Sequence, residues 1–221
     1  MTEVLPVGDS GVLVELHDNA AAQLLARRVQ AQLAEHLMEV VPGDRTVLLV
    51  WKRSPGDAAA VRAFAARSAG AGADCADHAQ AGTATAAEAG IGGPPPEPVT
   101  VPVSYDGDDL HAVARTLGMT AEQVVELHCA TSYTVAFIGF MPGFPYLIGG
   151  DPRLALPRLR TPRTMVPAGT VAVAAGYCGI YPRAAPGGWN LLGRTRLELF
   201  DPAREPPALL GPGTPVRFVA L

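Results

Sequence analysis

The chain has 221 residues, of which 48% are hydrophobic and 17% charged, and its 21 acidic and 17 basic side chains give a formal charge of −4. A chain this apolar buries enough surface to offset its ordering entropy, which excludes disorder, and the acidic balance excludes a global electrostatic grip on nucleic acid. No apolar run reaches the roughly 18–20 residues that cross a bilayer, and the opening MTEVLPVGDSGVLVEL lacks the basic and apolar regions of a secretory signal, so the reading is a soluble cytoplasmic protein of one large or two small domains.

In chain order, Gly11–Leu16 reads as a strand after a Gly8-Asp9 turn. Leu24, Leu25, Val29, Leu33 and Leu37 recur at helical spacing and predict a helix over 19–38 with Asn19 as N-cap, stopped by Pro42-Gly43. Thr46–Trp51 is too continuously apolar for a wet edge strand, and a second helix is expected over 55–67. The order β-α-β-α predicts a small α+β layer over 1–68, with both helices on one sheet face. From 69 to 98 the chain is mostly Ala, Gly, Pro and Thr with one large aliphatic residue, Ile91, and reads as a linker that builds no core.

Val99–Val103 restarts ordered structure as a strand. A helix is expected from Asp108 to Leu117, capped by Asp108 and ended by Gly118, and Thr120 to Gln123 forms a capping-box pattern that opens another. The pair looks superficially like a helix-turn-helix, but it carries Asp106, Asp108, Asp109, Glu122 and Glu126 against one cation, Arg115, the wrong balance for phosphate contact. Strands are expected over 133–140 and near 170–175, 191–200 and 215–219. Thirteen of the 21 prolines lie from Met141 to Leu221, a density that forbids long helices and favours short strands with fixed turns, hence a barrel or sandwich over 99–221.

The residues from Arg153 to Arg196 include seven arginines (Arg153, Arg158, Arg160, Arg163, Arg183, Arg194 and Arg196) and no Asp, Glu or Lys. Each guanidinium is a permanent cation with a planar fork suited to carboxylate or phosphate, so its counter-ion is either elsewhere in the fold, on Glu198, Asp201 or the acidic helix pair, or in a partner or anionic ligand. Three rigid blocks, GFMPGFPYL (Gly139–Leu147), VPAGT (Val166–Thr170) and APGGWN (Ala185–Asn190), interleave with Phe140, Phe144, Tyr146, Tyr181 and Trp189. Such blocks suit a preformed concave site and equally a barrel seam or a protein interface. His128 reads either as a structural histidine at a helix end or as a general acid–base. Cys129 beside it is no catalytic pair, because helical neighbours point about 100° apart. The three cysteines form no CxxC, and HExxH, GxSxG and GxxxxGK[ST] do not occur, so no metal, serine-hydrolase or Walker-type phosphate site is expected.

From ELHCATSYTVAFIGFMPGFPYL through PRLRTPRTMVPAGTVAVAAG, GIYP and PGGWNLLGRT to the terminal LLGPGTPVRFVAL, the chain resembles the B-type subunit of 5-oxoprolinase, a family also described as KipI-like and as allophanate hydrolase subunit 1, and GDSGVLVEL and TVLLVW resemble its N-terminal part more weakly. The resemblance implies a small α+β domain followed by a mainly-β cyclophilin-like barrel. It implies two further 5-oxoprolinase subunits, of the C and A types, as partners, with which the complex opens 5-oxo-L-proline, a small carboxylate, to L-glutamate at the expense of ATP. Relatives serve as the carboxyltransferase part of urea carboxylase systems, or inhibit a sensor histidine kinase by direct binding. The family motifs place His128, Phe140, Pro142, Gly143, Phe144, Pro145, Arg158, Pro162, Arg163, Pro167, Gly169, Tyr181, Pro186, Gly187, Gly188 and Trp189 in the matching positions. Among these the resemblance implies His128 and Arg163 as catalytic contacts, and Arg158, Phe140, Gly143, Phe144, Pro167, Gly169, Tyr181, Gly187, Gly188 and Trp189 as the substrate wall. One motif departs: the family's GxQTGIYP is here Gly176-Tyr177-Cys178-Gly179-Ile180-Tyr181-Pro182, so a Gln-Thr pair has become Tyr-Cys.

Overall fold

The computed structural model describes residues 3–52, 55–71 and 97–221 and divides into two compact units, 1–95 and 96–221. In the first, β1 (Glu3–Val7), β2 (Gly11–Glu15), β3 (Leu37–Pro42) and β4 (Thr46–Trp51) form an antiparallel sheet in the order β1-β2-β4-β3. Two helices, α1 (Asn19–Leu33) and α2 (Pro55–Ala71), join it. Alternation in β2 and β4 sends Val12, Val14, Val47, Leu49 and Trp51 to one face, where they pack with Ala22, Leu25 and Val29 of α1 and Val61 and Phe64 of α2.

Three expectations change here. The first strand has an N-terminal partner, β1, whose Leu5 pairs with Leu13 across the Gly8 turn. The first helix stops at Leu33 rather than running to 38, because Leu37 pairs with Trp51 and Val41 with Leu48, and this cross-strand pairing outweighs the helical spacing of Leu37. The N-cap is Asp18, whose carboxylate accepts from the Ala21 amide at 2.8 Å, while Asn19 donates to the carbonyls of Gly43 and Asp44. The expected linker over 69–98 begins inside α2, and its stretch from 72 to 96 lies outside the described residues.

The second unit contains β5 (Val99–Val103), α3 (Leu110–Leu117), α4 (Ala121–Ala130), β6 (Tyr133–Ile138), β7 (Pro145–Ile148), β8 (Arg163–Val166), β9 (Thr170–Ala174), β10 (Tyr177–Ile180), β11 (Ala185–Gly187), β12 (Asn190–Arg194) and β13 (Pro215–Ala220). Seven strands form one sheet in the order β12-β9-β10-β7-β6-β13-β5, antiparallel except for the β13–β5 pair. Its edges are drawn together where Ser104, just after β5, exchanges two backbone hydrogen bonds with Arg194 of β12, each 2.8 Å, so the sheet is barrel-like and nearly closed. Closure demands glycine. A Cβ on Gly193 would overlap the Ser104 carbonyl and stand 2.9 Å from the Tyr105 Cα.

The interior is filled by Val101, Val103, Val135, Leu147, Val171, Val173, Ile180, Leu192 and Phe218, with Leu110, Val113 and Val124 added by the helices. The Thr120–Gln123 capping box forms as its sequence predicts. Asp108 is not the cap of α3: Asp109 holds that position, without a capping side-chain bond, because its carboxylate is engaged elsewhere. The proline-rich half holds four strands, β7, β8, β10 and β11, that were not expected. Each is only three or four residues long, too short for an alternation signal to separate it from turns. Of the expected 191–200 strand only residues 191–194, within β12, are extended in a ladder, and among the described residues no helix is long and apolar enough to cross a membrane.

Candidate functional site

Strands β9 and β10 are a wall with two dissimilar faces. Val171, Val173, Cys178 and Ile180 point into the barrel, whereas Ala172, Ala174 and Tyr181 belong to a second apolar cluster on the other side. That cluster also holds Met141, Phe144, Val166, Trp189 and Leu191. It is floored by the sheet and covered in part by the two-stranded β8–β11 ribbon. Phe144 meets Tyr181 edge-on at 5.0 Å and Trp189 at 5.7 Å, and Tyr146 stacks on Phe137 at 4.3 Å. Gly179 makes the stacking possible, since a Cβ there would stand 2.9 Å from both Phe144 and Trp189.

Four cationic or hydroxyl groups border this aromatic bed. The Arg158 guanidinium lies 5.9 Å from the Trp189 ring centroid. Arg163 faces Gly187 across the β8–β11 ribbon, and the side-chain space that Gly187 leaves is filled by the Tyr181 hydroxyl. Burial raises the pKa of both Tyr146 and Tyr181, and Arg158 offsets part of that rise for each, so both phenols are neutral donors beside fixed cations.

Arg163 is held by a residue that no local sequence signal marks. Its Nη2 donates to Asp109 Oδ1 at 2.7 Å, and Asp109 Oδ2 accepts from the Leu191 amide at 2.8 Å. One carboxylate thus ties the start of α3 to β12 and to the ribbon, over sequence separations of 54 and 82 residues. The other terminal nitrogen, Nη1, is buried and makes no hydrogen bond to the protein. A buried charged donor without an acceptor is costly, so the protein satisfies this guanidinium only in part.

Phe140 is the most exposed aromatic of the cluster, 60% exposed, and reaches Phe144 at 5.5 Å and Tyr181 at 6.4 Å between ring centroids. Its φ of +63° is costly for a bulky residue. The strain is held by a 2.6 Å hydrogen bond from the Met141 amide to the Gly139 carbonyl, a γ-turn centred on Phe140. Gly143, at φ +76°, closes this loop against Phe200. Pro167 and Gly169 form the turn into β9, where Pro167 O accepts from the Thr170 hydroxyl at 2.8 Å and Gly169 N donates to the Tyr181 carbonyl at 2.7 Å. Gly188 accepts from the Leu159 amide at 2.7 Å and has room for a Cβ. Arg158, Arg163, Phe140, Phe144, Tyr181, Gly187 and Trp189 therefore gather on one face, with Gly143, Pro167 and Gly169 in supporting turns.

His128 is not brought to that face. It is wholly buried in the barrel interior, 4.4 Å from Phe218 and 5.2 Å from Tyr133 between ring centroids. Its Nδ1 is 2.7 Å from the Tyr105 hydroxyl, which is also 3.2 Å from Cys129 Sγ, and its Nε2 is 3.3 Å from Cys178 Sγ. Burial pushes the His128 pKa down to about 3, so the ring is neutral. The Tyr177-Cys178 departure is split by the same alternation. Cys178 turns inward to His128, and Tyr177 turns outward to meet Tyr146 edge-on at 5.6 Å. Among the described residues, the other arginines with an acidic partner are Arg153, on Asp151 at 2.9 Å, and Arg194, on Asp106 at 3.1 Å. The helix pair thus supplies counter-ions through Asp106 and Asp109, both at the start of α3, whereas Glu198 offers its backbone carbonyl to Arg204.

A match to the carboxyltransferase domain, subdomain C and D, runs over residues 2–210. The chain belongs to that family. Among curated members of similar sequence, the B subunit of 5-oxoprolinase from Escherichia coli O157:H7 is 51% identical over 124 residues, covering 55% of this chain and 57% of that protein. The Bacillus subtilis (strain 168) protein of the same name is 44% identical over 126 residues, 56% of this chain and 52% of that one. The chain therefore spans little more than half the length of the curated relatives it matches. The crystal structure of TTHA0988 superposes with a TM-score of 0.75 at 35% identity, over 96% of this chain and 40% of that one. The Kluyveromyces lactis urea carboxylase structure shares the carboxyltransferase-type fold, with a TM-score of 0.63 at 20% identity over 100% of this chain and 22% of that one.

Proposed function

We propose that this chain is one subunit of an ATP-dependent 5-oxoprolinase, which with partners of the C and A types hydrolyses 5-oxo-L-proline to L-glutamate in the cytoplasm. The observation that carries the reading is the buried, unpartnered Arg163 Nη1 beside an aromatic bed, in a chain whose curated relatives are named as the B subunit of 5-oxoprolinase. The substrate is a small ring with one carboxylate. Arg163 bonds that carboxylate, Asp109 fixes the guanidinium plane, Arg158 supplies a second cation, and Phe140 and Trp189 flank the ring. Ring opening breaks the lactam C–N bond, puts a water oxygen into the new side-chain carboxylate and leaves the nitrogen as the amine. Phosphoryl transfer from ATP to the amide oxygen releases ADP and activates the carbon for that attack by water; C–N cleavage then leaves an acyl phosphate, which a second water hydrolyses to the carboxylate and inorganic phosphate, and with no GxxxxGK[ST] in this chain the nucleotide site is shared with, or belongs to, a partner. The barrel is then a cyclophilin-like half-site, and exposed Phe140 and Met165 meet the C-type partner.

The test is reconstitution. The purified chain alone is expected to show no 5-oxoproline-dependent ATP hydrolysis, and the complex with its partners is expected to release glutamate and ADP. Turnover by the isolated chain overturns the split-site reading. Carboxyl transfer to urea, or capture of a sensor histidine kinase with no activity on 5-oxoproline, overturns the substrate.

A further inference from the structure

Apart from the arginine-bearing face, a cavity of about 50 Å³ opens on the barrel wall, lined by Tyr133, Gly150, Asp151, Leu154, Val173 and Cys178 among others. Tyr133 is 2% exposed and borders this space, and its buried hydroxyl makes no hydrogen bond to a protein group within geometric limits. Nearby Thr131 donates its hydroxyl to the His128 carbonyl at 3.4 Å, and its loose polar contact with the Tyr133 phenol, outside hydrogen-bond geometry, offsets part of the pKa rise that burial causes there. Gly150 keeps the phenol open to the cavity, because a Cβ there would stand 2.8 Å from the ring and 3.1 Å from the hydroxyl. Leaving a buried hydroxyl unsatisfied is unfavourable, so the space in front of it has a chemical requirement.

The remaining lining defines what satisfies it. The one ionised group of that lining, Asp151, is committed: its two carboxylate oxygens accept from Arg153 Nε and Nη2 at 2.9 Å each, and Oδ1 also accepts from the Arg153 amide at 2.9 Å. The Cys178 thiol is kept neutral by burial and already meets His128 Nε2 at 3.3 Å. The other lining residues are apolar or glycine, apart from Tyr177, whose ring packs against Tyr146 on the opposite face. Among the described residues no uncommitted charge faces the cavity, so neither an anion nor a cation is compensated for its desolvation. One water needs about 10–15 Å³ of such space, so the volume suits a few waters or one molecule of a few heavy atoms.

We infer that this cavity is a binding site for a small neutral hydrogen-bond acceptor seated on the Tyr133 hydroxyl, water by default and displaceable by a sulfoxide, ketone or amide oxygen. The site lies against the inner end of the chain Cys129–Tyr105–His128–Cys178, so its occupant completes a polar group of the barrel interior which that chain leaves out.

The test uses the full chain with dimethyl sulfoxide as the probe. High-resolution crystals of the wild type are expected to show ordered solvent about 2.6–3.0 Å from Tyr133 Oη, replaced after soaking by the sulfoxide oxygen, and the near-isosteric Tyr133→Phe variant is expected to lose both. In solution, wild-type amide resonances lining the cavity are expected to shift saturably with dimethyl sulfoxide, and those of Tyr133→Phe to shift at least tenfold more weakly. Thermal unfolding gives a readout that needs no ligand. If captured solvent satisfies the hydroxyl, Tyr133→Phe lowers Tm by about 2–4 °C, whereas an orphaned hydroxyl makes the same variant more stable. A dry cavity, a Tyr133 hydroxyl bonded directly to Thr131, sulfoxide binding at crystal concentration only, or binding unchanged in Tyr133→Phe each overturns the inference.

Discussion

The two faces of the β9–β10 wall carry similar kinds of residue and use them oppositely. Inside, His128, Tyr105, Cys129 and Cys178 satisfy one another in a chain of polar contacts. Outside, Arg163 has one nitrogen on Asp109 and one without a partner, and Phe140 is held exposed by a strained turn. Partnered polar groups in a core specify structure, whereas incompletely satisfied charge and strained, exposed aromatics mark where a ligand or partner completes the chemistry. His128 thus lies on the enclosed side of the wall, and Arg158 and Arg163 lie on the other.

The largest effect tests the frame that separates the faces. Gly193→Ala forces a methyl group into the Ser104 carbonyl at the barrel seam and is expected to cost about 3 kcal/mol or more, seen in denaturant unfolding. A wild-type midpoint would mean that the seam is not closed as described.

Next is the outer face. Arg163→Met is expected to raise KM for 5-oxoproline in the reconstituted complex about 10- to 100-fold, the worth of a charge-assisted hydrogen bond. Asp109→Asn is expected to follow in the same direction with a smaller rise, because it loosens the guanidinium without removing it. Unchanged KM in both variants would put the anion elsewhere.

The inner face is sharpened by pH. Folded His128 has a pKa of about 3, below its ordinary value near 6.5, so the unfolded state takes up the proton first. Its contribution to stability is complete above about pH 6.5 and is lost as pH falls towards 3, with a slope approaching about 1.4 kcal/mol per pH unit. His128→Gln is expected to be less stable at neutral pH but to lack this slope between pH 6.5 and 5, above the range of most carboxylates. An identical slope in the two proteins would show that His128 is not neutral and buried.

The smallest expected stability change is at Phe140. Phe140→Gly relieves the positive φ and removes an exposed ring, so stability is expected to stay within about 1 kcal/mol of wild type while activity of the complex falls about tenfold. Equal activity would strip the turn of a role.

Legibility in the sequence follows the range of the interactions involved. Thr46–Trp51, Val99–Val103 and the Thr120–Gln123 capping box were readable because alternation, apolar runs and capping are written within a few residues. The helix expected to reach 38 failed because the Leu37–Trp51 pairing is not local. The cluster of arginines was visible as composition, but which of them is paired, and with what, was not: Asp109 lies 54 residues from Arg163, and nothing near either one announces the pair. Likewise Tyr177 and Cys178 are neighbours in sequence, and only the direction of β10 sends one to the aromatic bed and the other to His128.

By itself the sequence determined that prolines and glycines would cut the second half into short strands, that no nucleotide-binding loop of the Walker type exists, and that cations outnumber local anions from 153 to 196. Tertiary structure alone decided which face of the wall each side chain joins, which carboxylate holds Arg163, and that His128 is enclosed. The physical reason is that backbone preference and composition act over a few residues, while burial, charge pairing and strand alternation depend on partners that only chain closure brings within reach.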